Sequence, residues 1–313
     1  MDHLPSPDRP LRIGTRGSPL AIAQAHETRA RLMAAHGLPE EAFATVVITT
    51  TGDRVQDRSL SAIGGKGLFT KEIEEALLRD EIDIAVHSMK DMPAEQPPGL
   101  AITTLLPRED VRDAFVSLGD DTLLTLPEGA VVGTSSLRRR AQLIHRRPDL
   151  RTVEFRGNVQ TRMRKLTEGV ADATFLAMAG LKRLGMLELT RHPVDAADML
   201  PAIAQGAIGI EQREADARVW ALLAPIHDAE TGHRLAAERA FLRTLDGSCR
   251  TPIAGLAELS GGDLHLRGEI LRPDGSEAIA GERRGPVSDA GTMGTDLAEE
   301  LRARAGKDFF ADW

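Results

Sequence analysis

The sequence is poor in aromatic residues and contains a single cysteine. Phe and Trp make up 3% of its 313 residues and Tyr is absent, so a nucleic-acid surface built on aromatic stacking is not expected. The lone cysteine, Cys249, excludes an internal disulfide and a metal site built on a cysteine cluster, and we predict no bound metal. Aliphatic side chains must therefore form the core, and a hydrophobic content of 42% is ample for one.

The chain also lacks an excess of positive charge and any long apolar run. Lys and Arg number 39 against 47 Asp and Glu, and the net charge of −8 argues against a general nucleic-acid binder. No apolar run approaches the length of a membrane span. Residues 1–10 are polar and proline-rich, without the apolar stretch of a secretion signal. These features predict a cytoplasmic protein of two or three domains with a reduced thiol.

The stretch from Asp83 to Pro93 is the point around which the chain is organised. Ile84–Val86 is a short apolar run after a helix-like segment, which predicts a buried strand of an α/β sheet. In open α/β sheets the functional residues lie where strands end, and Lys90 and Asp91 stand there. They are candidates for a cleft, although a surface ion pair at a strand end also fits this stretch.

Arginines recur where a predicted strand gives way to a helix. A cation near a helix N-terminus opposes the helix dipole, and its presence makes sense if an anion binds there. The residues concerned are Arg16 before the N-cap Ser18, Arg138 and Arg139 after Ser136, Arg156 and Arg162 around Asn158, and Arg183. The pattern predicts a cleft for a small polyanion that carries carboxylates or phosphates. The alternative is that these arginines face solvent or pair with Asp and Glu.

The predicted elements group into two α/β units and a small α+β unit. Strands are expected at 11–15, 46–51, 84–86, 100–106, 114–116, 131–133, 152–155 and 172–176, helices at 19–36, 69–79, 236–245 and 293–304, and a hairpin at 256–260 and 264–271. The run 51–67 predicts a mobile loop, and its Gly64-Gly65-Lys66-Gly67 lacks the spacing of a phosphate-binding loop. The predicted domains are 10–107 with 207–226, then 108–206, then 227–313, the first two forming a hinged clamshell.

Several longer segments stand in a specific order along the chain. They are Gly64-Gly65-Lys66-Gly67-Leu68-Phe69, His87-Ser88-Met89-Lys90-Asp91, Gly133-Thr134-Ser135-Ser136-Leu137-Arg138-Arg139, Arg156-Gly157-Asn158, Ala179-Gly180-Leu181-Lys182-Arg183-Leu184-Gly185 and the loop around Cys249. From about Leu11 to the C-terminus, the chain resembles the porphobilinogen deaminase (hydroxymethylbilane synthase) family. The resemblance implies two domains like those of periplasmic binding proteins and a third that carries the cysteine.

The resemblance also implies a transferase of tetrapyrrole biosynthesis. Such an enzyme condenses four porphobilinogen molecules into hydroxymethylbilane, releases four ammonia molecules, and starts from a dipyrromethane cofactor held by a thioether, here to Cys249. Asp91 would be the catalytic carboxylate, which stabilises positive charge on a pyrrole nitrogen and mediates proton transfer. The implied protein is a monomer that acts on porphobilinogen without nucleic acid or membrane.

The resemblance further divides the basic and hydroxyl residues into two sets. Cofactor carboxylates would be held by Lys66, Lys90, Ser136, Arg138 and Arg139, with Asp91 also at the cofactor. Substrate or the growing chain would be held by Arg16, Ser18, Gln24, Arg156, Arg162 and Arg183. Arginine forks suit carboxylates, and a chain that lengthens by two carboxylates per ring requires several of them.

Two departures and two rival hypotheses accompany this resemblance. Ala62 stands where many relatives have a lysine, so a role for that lysine does not carry over, and Ser248 replaces a glycine before the cysteine. One rival is a non-catalytic two-domain binding protein for a carboxylated ligand, which the arginines alone would fit. The other, a nucleic-acid binder using residues 138–140 and 162–165, suits neither the charge nor the aromatic content.

Overall fold

The computed structural model describes residues 4–54, 69–119, 121–190, 192–247, 251–311 and 313. Within these ranges no helix combines the length and the apolar character required to cross a membrane.

The described chain alternates strands and helices along most of its length. The strands are β1 (Leu11–Arg16), β2 (Phe43–Ile48), β3 (Ile84–Ser88), β4 (Leu100–Leu105), β5 (Asp113–Ser117), β6 (Val131–Gly133), β7 (Arg151–Val153), β8 (Ala173–Ala177), β9 (His192–Pro193), β10 (Ile208–Arg213), β11 (Ile253–Ser260), β12 (Asp263–Leu271) and β13 (Ala278–Pro286). The α-helices are α1 (Pro19–His36), α2 (Thr51–Arg54), α3 (Lys71–Leu78), α4 (Leu137–Arg146), α5 (Val159–Thr167), α6 (Met178–Arg183), α7 (Ala217–Leu223), α8 (Ala229–Thr244) and α9 (Ala290–Ala305).

The chain divides into two compact units. Unit 1 comprises Met1–Val55, Gly65–Glu109 and Gly206–Gly232. Its sheet has the order β2-β1-β3-β10-β4, in which β1 pairs in parallel with β2 and β3, whereas β10 is antiparallel to both of its neighbours. Side chains of β1, β3 and β10 pack with α1 and α7 in one apolar core. A segment from late in the chain thus completes this sheet.

Among the described residues, unit 2 comprises Asp110–Gln205 and His233–Trp313. Its five-stranded sheet has the order β7-β6-β8-β5-β9, with β6 parallel to β7 and β8 and with β5 antiparallel to its neighbours. The sheet of unit 2 therefore repeats the strand order and directions of the sheet of unit 1. Unit 2 also contains a three-stranded antiparallel sheet, β11-β12-β13, with α9 packed against it.

Local signals in the sequence account for the best-defined elements. The Ser18 hydroxyl accepts a hydrogen bond from the Ala21 N–H, Pro19 occupies the first turn of α1, and Gly37 ends the helix with a positive φ of 64°. In β12 a side chain at Gly268 would lie 2.6 Å from the Phe241 ring, so glycine lets α8 approach the sheet. The predicted fold class, two α/β sheets and a small α+β part, is confirmed.

Several predicted boundaries are wrong. Strand β2 begins at Phe43 rather than Val46, because its pairing with β1 already starts at Phe43, opposite Leu11. Helix α8 begins at Ala229 and α9 at Ala290, earlier than predicted, and the C-terminal sheet has a third strand, β13, that the hairpin prediction missed. Thr51–Arg54 forms a helical turn instead of loop, and most of the predicted mobile loop lies outside the described residues.

Candidate functional site

The junction of β1 and α1 forms one side of the candidate site. Ser18 has extended backbone angles, and its hydroxyl lies 3.2 Å from the Ala21 nitrogen, so it caps a helix of eighteen residues. The Arg16 guanidinium lies 4.2 Å from the centroid of the Phe69 ring, a cation–π distance. The positive end of α1 and an arginine therefore face the same region, which suits an anion.

The end of β3 forms the second side. Lys90 and Asp91 lie directly after this strand, as predicted, in a 3₁₀ turn that spans Met89–Asp91. The Met92 N–H closes the turn by donating to the Met89 carbonyl, and the Met89 N–H donates to the Ala207 carbonyl at 3.0 Å, next to the first residue of β10. A side chain at Gly209 would lie 2.1 Å from the Met89 sulfur, so glycine is required for this packing.

These two sides enclose a pocket of about 70 Å³ within unit 1. Its lining includes four residues that the sequence predicted for the site, Arg16, Ser18, Gln24 and Asp91. Gln24 on α1 is buried and exchanges two hydrogen bonds with the Ser88 hydroxyl, at 2.8 and 3.0 Å. These two bonds hold α1 against the end of β3. Residues that are far apart in sequence therefore line one small polar pocket.

A pair of residues that the sequence reasoning missed lies at the base of this pocket. His87 lines the pocket, and its Nε2 lies 3.0 Å from Oε2 of Glu211 on β10. Both side chains are buried, with exposed fractions of 4% and 0%. Burial raises the pKa of the nearby Glu74, and the charge of Glu211 adds to that rise. A carboxylate directly after the apolar segment 207–210 was the only sequence signal for this pair.

The junction of β6 and α4 in unit 2 holds three predicted cofactor ligands. Ser136 caps α4 by accepting from the Arg139 N–H. Arg138 and Arg139 are buried and pair with Asp113 on β5, at 2.8 and 2.7 Å. Burial alone would raise the pKa of Asp113, but the two guanidinium groups and a hydrogen bond from Gln205 hold it well below its usual range. Arg138 and Arg139 therefore pair with an acidic side chain, which the sequence analysis gave as the alternative to a bound anion.

The junction of β7 and α5 brings a further arginine into unit 2. Asn158 caps α5 by accepting from the Thr161 N–H at 2.8 Å. Among the described residues, Arg162 hydrogen-bonds only carbonyl oxygens, those of Gly157 and Phe175. Burial, with a contribution from the charge of Arg139, lowers the pKa of Arg162 to about 10. This guanidinium therefore still lacks an anionic partner within the described part of the chain.

Four predicted site residues remain: Arg156, Arg183, Lys66 and Cys249. Arg156 lies in the segment between β7 and α5. Arg183 is the last residue of α6, so its prediction as a strand-to-helix junction residue is wrong, because the helix starts directly after β8. Lys66 and Cys249 lie outside the described residues. Within the described ranges, no group of three or more His, Cys, Asp or Glu side chains has the arrangement of a metal site.

Comparisons with known proteins give one strong match and several weak ones. Residues 11–221 match the family model "Porphobilinogen deaminase, dipyromethane cofactor binding domain", and residues 233–303 match "Porphobilinogen deaminase, C-terminal domain". The chain is 69% identical to a porphobilinogen deaminase of Paracoccus denitrificans over 313 residues, which is 100% of each chain.

Distant likenesses exist among solved structures. The VFT2 domain of Bordetella pertussis BvgS aligns with a TM-score of 0.41 and 15% identity, over 71% of this chain and 89% of that one. The periplasmic aliphatic sulphonate binding protein SsuA of Escherichia coli aligns with a TM-score of 0.41 and 15% identity, over 75% of this chain and 70% of that one.

Proposed function

The chain belongs to the porphobilinogen deaminase family, and on that premise we propose how its own residues carry out the reaction. The enzyme is a hydroxymethylbilane synthase: it condenses four porphobilinogen molecules head to tail, releases four ammonia molecules and yields the linear tetrapyrrole. It therefore acts in tetrapyrrole biosynthesis. This membership decides between the transferase and the non-catalytic binding protein that the arginines alone would also fit.

The pocket of unit 1 is our proposed site for the reacting pyrrole. The observation that carries this proposal is the convergence of Arg16, Ser18, Gln24 and Asp91 on one space of about 70 Å³. Porphobilinogen carries an acetate and a propionate, and Arg16 with the N-terminus of α1 offers a guanidinium and a positive dipole to such a group. Gln24 and Ser18 add hydrogen-bond donors at the same side.

Asp91 would face the positive charge that develops on the pyrrole nitrogen. Loss of ammonia from porphobilinogen leaves an electron-poor, azafulvene-type intermediate, and a preorganised carboxylate stabilises it where the charge appears. The fixed 3₁₀ turn that carries Asp91 keeps the carboxylate in place while successive rings pass. The same carboxylate can mediate proton transfer to the leaving amine.

The residues of unit 2 fit an acidic cofactor such as dipyrromethane, whose binding domain the chain contains. The buried Nε of Arg138 has no hydrogen-bond partner among the described residues, and Arg162 nearby meets only carbonyl groups. When bound, the cofactor supplies the primer ring to which the first substrate is joined. We propose that Cys249 anchors it through a thioether and that Lys66, Lys90, Ser136, Arg138 and Arg139 hold its carboxylates, with Asp91 beside it.

Further arginines would serve the lengthening chain. Six rings with two acidic groups each carry about twelve carboxylates, which repel one another strongly in a confined space. Guanidinium groups bind such groups bidentately and stay charged at every stage. We assign this role to Arg156, Arg162 and Arg183, of which Arg162 has the best support because its described hydrogen bonds leave its charge unpaired.

Several coarser features remain proposals. We propose three domains, at 10–107 with 207–226, at 108–206 and at 227–313, and the breaks between the two compact units after residues 109, 205 and 232 support the inner boundaries. We also propose that the protein binds no nucleic acid, on the basis of the net charge of −8. We propose further that it is a monomer, as the family resemblance implies, and that it works in the cytoplasm, where its single thiol stays reduced.

Intact-mass measurement tests the attachment of the cofactor. Native protein should carry an added mass equal to two pyrrole units, and Cys249→Ser should carry none and form no hydroxymethylbilane. The neighbouring Ser248→Ala is the matched control and should keep the added mass. An active native enzyme with the mass of the bare chain would refute the thioether.

A further inference from the structure

A histidine and a glutamate form a buried pair beneath the pocket. Nε2 of His87 lies 3.0 Å from Oε2 of Glu211, and among the described residues this is the only hydrogen bond of the imidazole. Oε1 of Glu211 is buried and has no partner within the described chain. The carboxylate therefore orients the ring, and the second ring nitrogen, Nδ1, remains available on a side chain that lines the pocket.

The charged groups around this pair come from four elements. Glu211 lies on β10, Asp91 and Lys90 in the turn after β3, Arg16 at the end of β1, and Glu74 on α3. Burial raises the pKa of Glu74, and Glu211 adds to the rise while His87 opposes it. The buried carboxylate of Glu211 thus contacts the imidazole directly, and Glu74 lies close enough to interact with both of them electrostatically.

The proposed role of Asp91 creates a need for a second proton acceptor. The carboxylate stabilises a cation only while it is ionised, yet each coupling also releases one proton from a ring carbon. If Asp91 kept that proton, it would enter the next of four cycles as a neutral acid. Enzymes commonly separate two such tasks between two groups in different environments.

We propose that His87, oriented by Glu211, receives the proton that the ring carbon loses when two substrate-derived rings are joined. This inference rests on the proposed function of Asp91 at the same pocket. Glu211 acts through His87 and is a positioning residue, whereas His87 itself would contact the reacting ring.

Loss of ammonia from the incoming porphobilinogen first gives the azafulvene. The new carbon–carbon bond joins its methylene carbon to the free α-carbon of the ring added before it, which leaves that ring positively charged. The α-carbon–hydrogen bond then breaks, its electron pair restores the aromatic ring, and the proton moves to Nδ1 of His87. The imidazolium releases the proton through solvent to the ammonia already set free, which becomes ammonium, and both Asp91 and His87 return to their starting states.

His87→Gln tests the proposal, because the amide nitrogen of glutamine can still donate to Glu211 but cannot carry the proton. We expect kcat to fall roughly tenfold to a hundredfold, with KM changed by less than about twofold. Porphobilinogen deuterated at its free α-carbon should show an isotope effect on kcat in the variant that exceeds the effect in the native enzyme. The loss of native activity as the pH falls, expected of a base that must be unprotonated, should also weaken.

Two further variants keep the result decisive. His36→Gln is the matched control, since His36 bonds the Leu222 carbonyl in the same unit away from the pocket, and its kcat should stay within about twofold of the native value. Glu211→Gln keeps the imidazole and should give a fall of about tenfold with a raised isotope effect, which also covers the case in which His87→Gln does not fold.

Some outcomes would overturn the proposal. It is refuted if folded His87→Gln retains native kcat across the pH range, or if kcat falls in either variant with the isotope effect unchanged. A fully active Asp91→Asn would instead refute the proposed role of Asp91, so the two failures are distinguishable.

Discussion

The two five-stranded sheets share one strand order but treat their buried acids differently. In each sheet the antiparallel strand carries a carboxylate with no exposed surface, Glu211 on β10 and Asp113 on β5. Glu211 faces a single histidine, whereas Asp113 faces two arginines and Gln205. The same scaffold therefore holds an adjustable pair in unit 1 and a permanent ion cluster in unit 2.

The difference shows how one topology can serve two purposes. In our proposal the histidine of unit 1 takes up and releases a proton beside the pocket, a task that imidazole performs in many enzymes. Guanidinium groups remain charged, so an ionised Asp113 is needed to offset part of the positive charge of Arg138 and Arg139 in unit 2. In our proposal, unit 1 supplies the proton chemistry, and unit 2 supplies fixed positive charge for acidic groups.

The largest expected effect is a loss of stability when the ion cluster of Asp113, Arg138 and Arg139 in unit 2 is broken. Asp113→Asn leaves two buried guanidinium groups without their carboxylate, and the free energy of unfolding should fall by about 3–5 kcal/mol. Glu211→Gln should cost less, because its histidine partner can become neutral. Denaturant unfolding of the two variants measures the contrast.

The matched control for the acid of unit 2 is Asp110→Asn. Asp110 pairs with the partly exposed Arg112 at 2.7 Å, and its loss should cost no more than about 1 kcal/mol. Equal losses for Asp113→Asn and Glu211→Gln would contradict the contrast between the two sheets.

Asp91→Asn should remove activity and leave the fold intact. The amide keeps the size of the side chain but not its charge, so kcat should fall about a hundredfold to a thousandfold, as on loss of a preorganised electrostatic contact. Ammonia release measures the effect, and an unchanged unfolding midpoint controls for stability. Undiminished ammonia release would end the assignment of Asp91.

Arg162→Gln should weaken chain extension more than folding. Its guanidinium has no described carboxylate partner, so its loss should raise KM for porphobilinogen by about tenfold, the usual cost of one charged hydrogen bond. Arg164→Gln is the control, since Arg164 is exposed and pairs along the helix with Glu168. Partly extended intermediates should accumulate in Arg162→Gln but not in Arg164→Gln. That result would support the assignment of chain binding to the arginines of unit 2.

The smallest expected effect is a pH dependence of stability in unit 2. The folded-state pKa of Asp113 lies below its unfolded value of about 3.9, so its contribution is fully present above that pH and is lost as the pH falls through the folded pKa. The stability difference between native protein and Asp113→Asn should stay constant from neutral pH to about 5 and shrink below 4. A difference that shrinks already between pH 7 and 5 would contradict this.

Local sequence signals predicted the start of α1 but not the polar pairs. Ser18, Pro19 and Gly37 specify α1 within one short segment, and the structure confirms each of them. His87 and Glu211 are 124 residues apart, so no periodicity connects them. The turn that carries Asp91 depends on the Ala207 carbonyl of a distant segment, which explains why it was predicted as a strand end.

Arg138 and Arg139 show a different limit of prediction from sequence. Charge near a helix start correctly marked Arg138 and Arg139 as unusual, but composition could not choose between a bound anion and an internal acid. Asp113 directly precedes the apolar run Ala114–Val116, and only the pairing of β5 with β8 brings it to these arginines.

The position of β10 in the chain has a consequence for biosynthesis. As the polypeptide leaves the ribosome, β1 to β4 emerge first, but the strand that lies between β3 and β4 follows only after the whole segment 110–205. The first sheet thus cannot close until the second has been made. Folding must wait for a contact of long sequence separation. The hydrogen bond from the Met89 N–H to the Ala207 carbonyl, at the turn that carries Asp91, therefore forms among the last steps of folding.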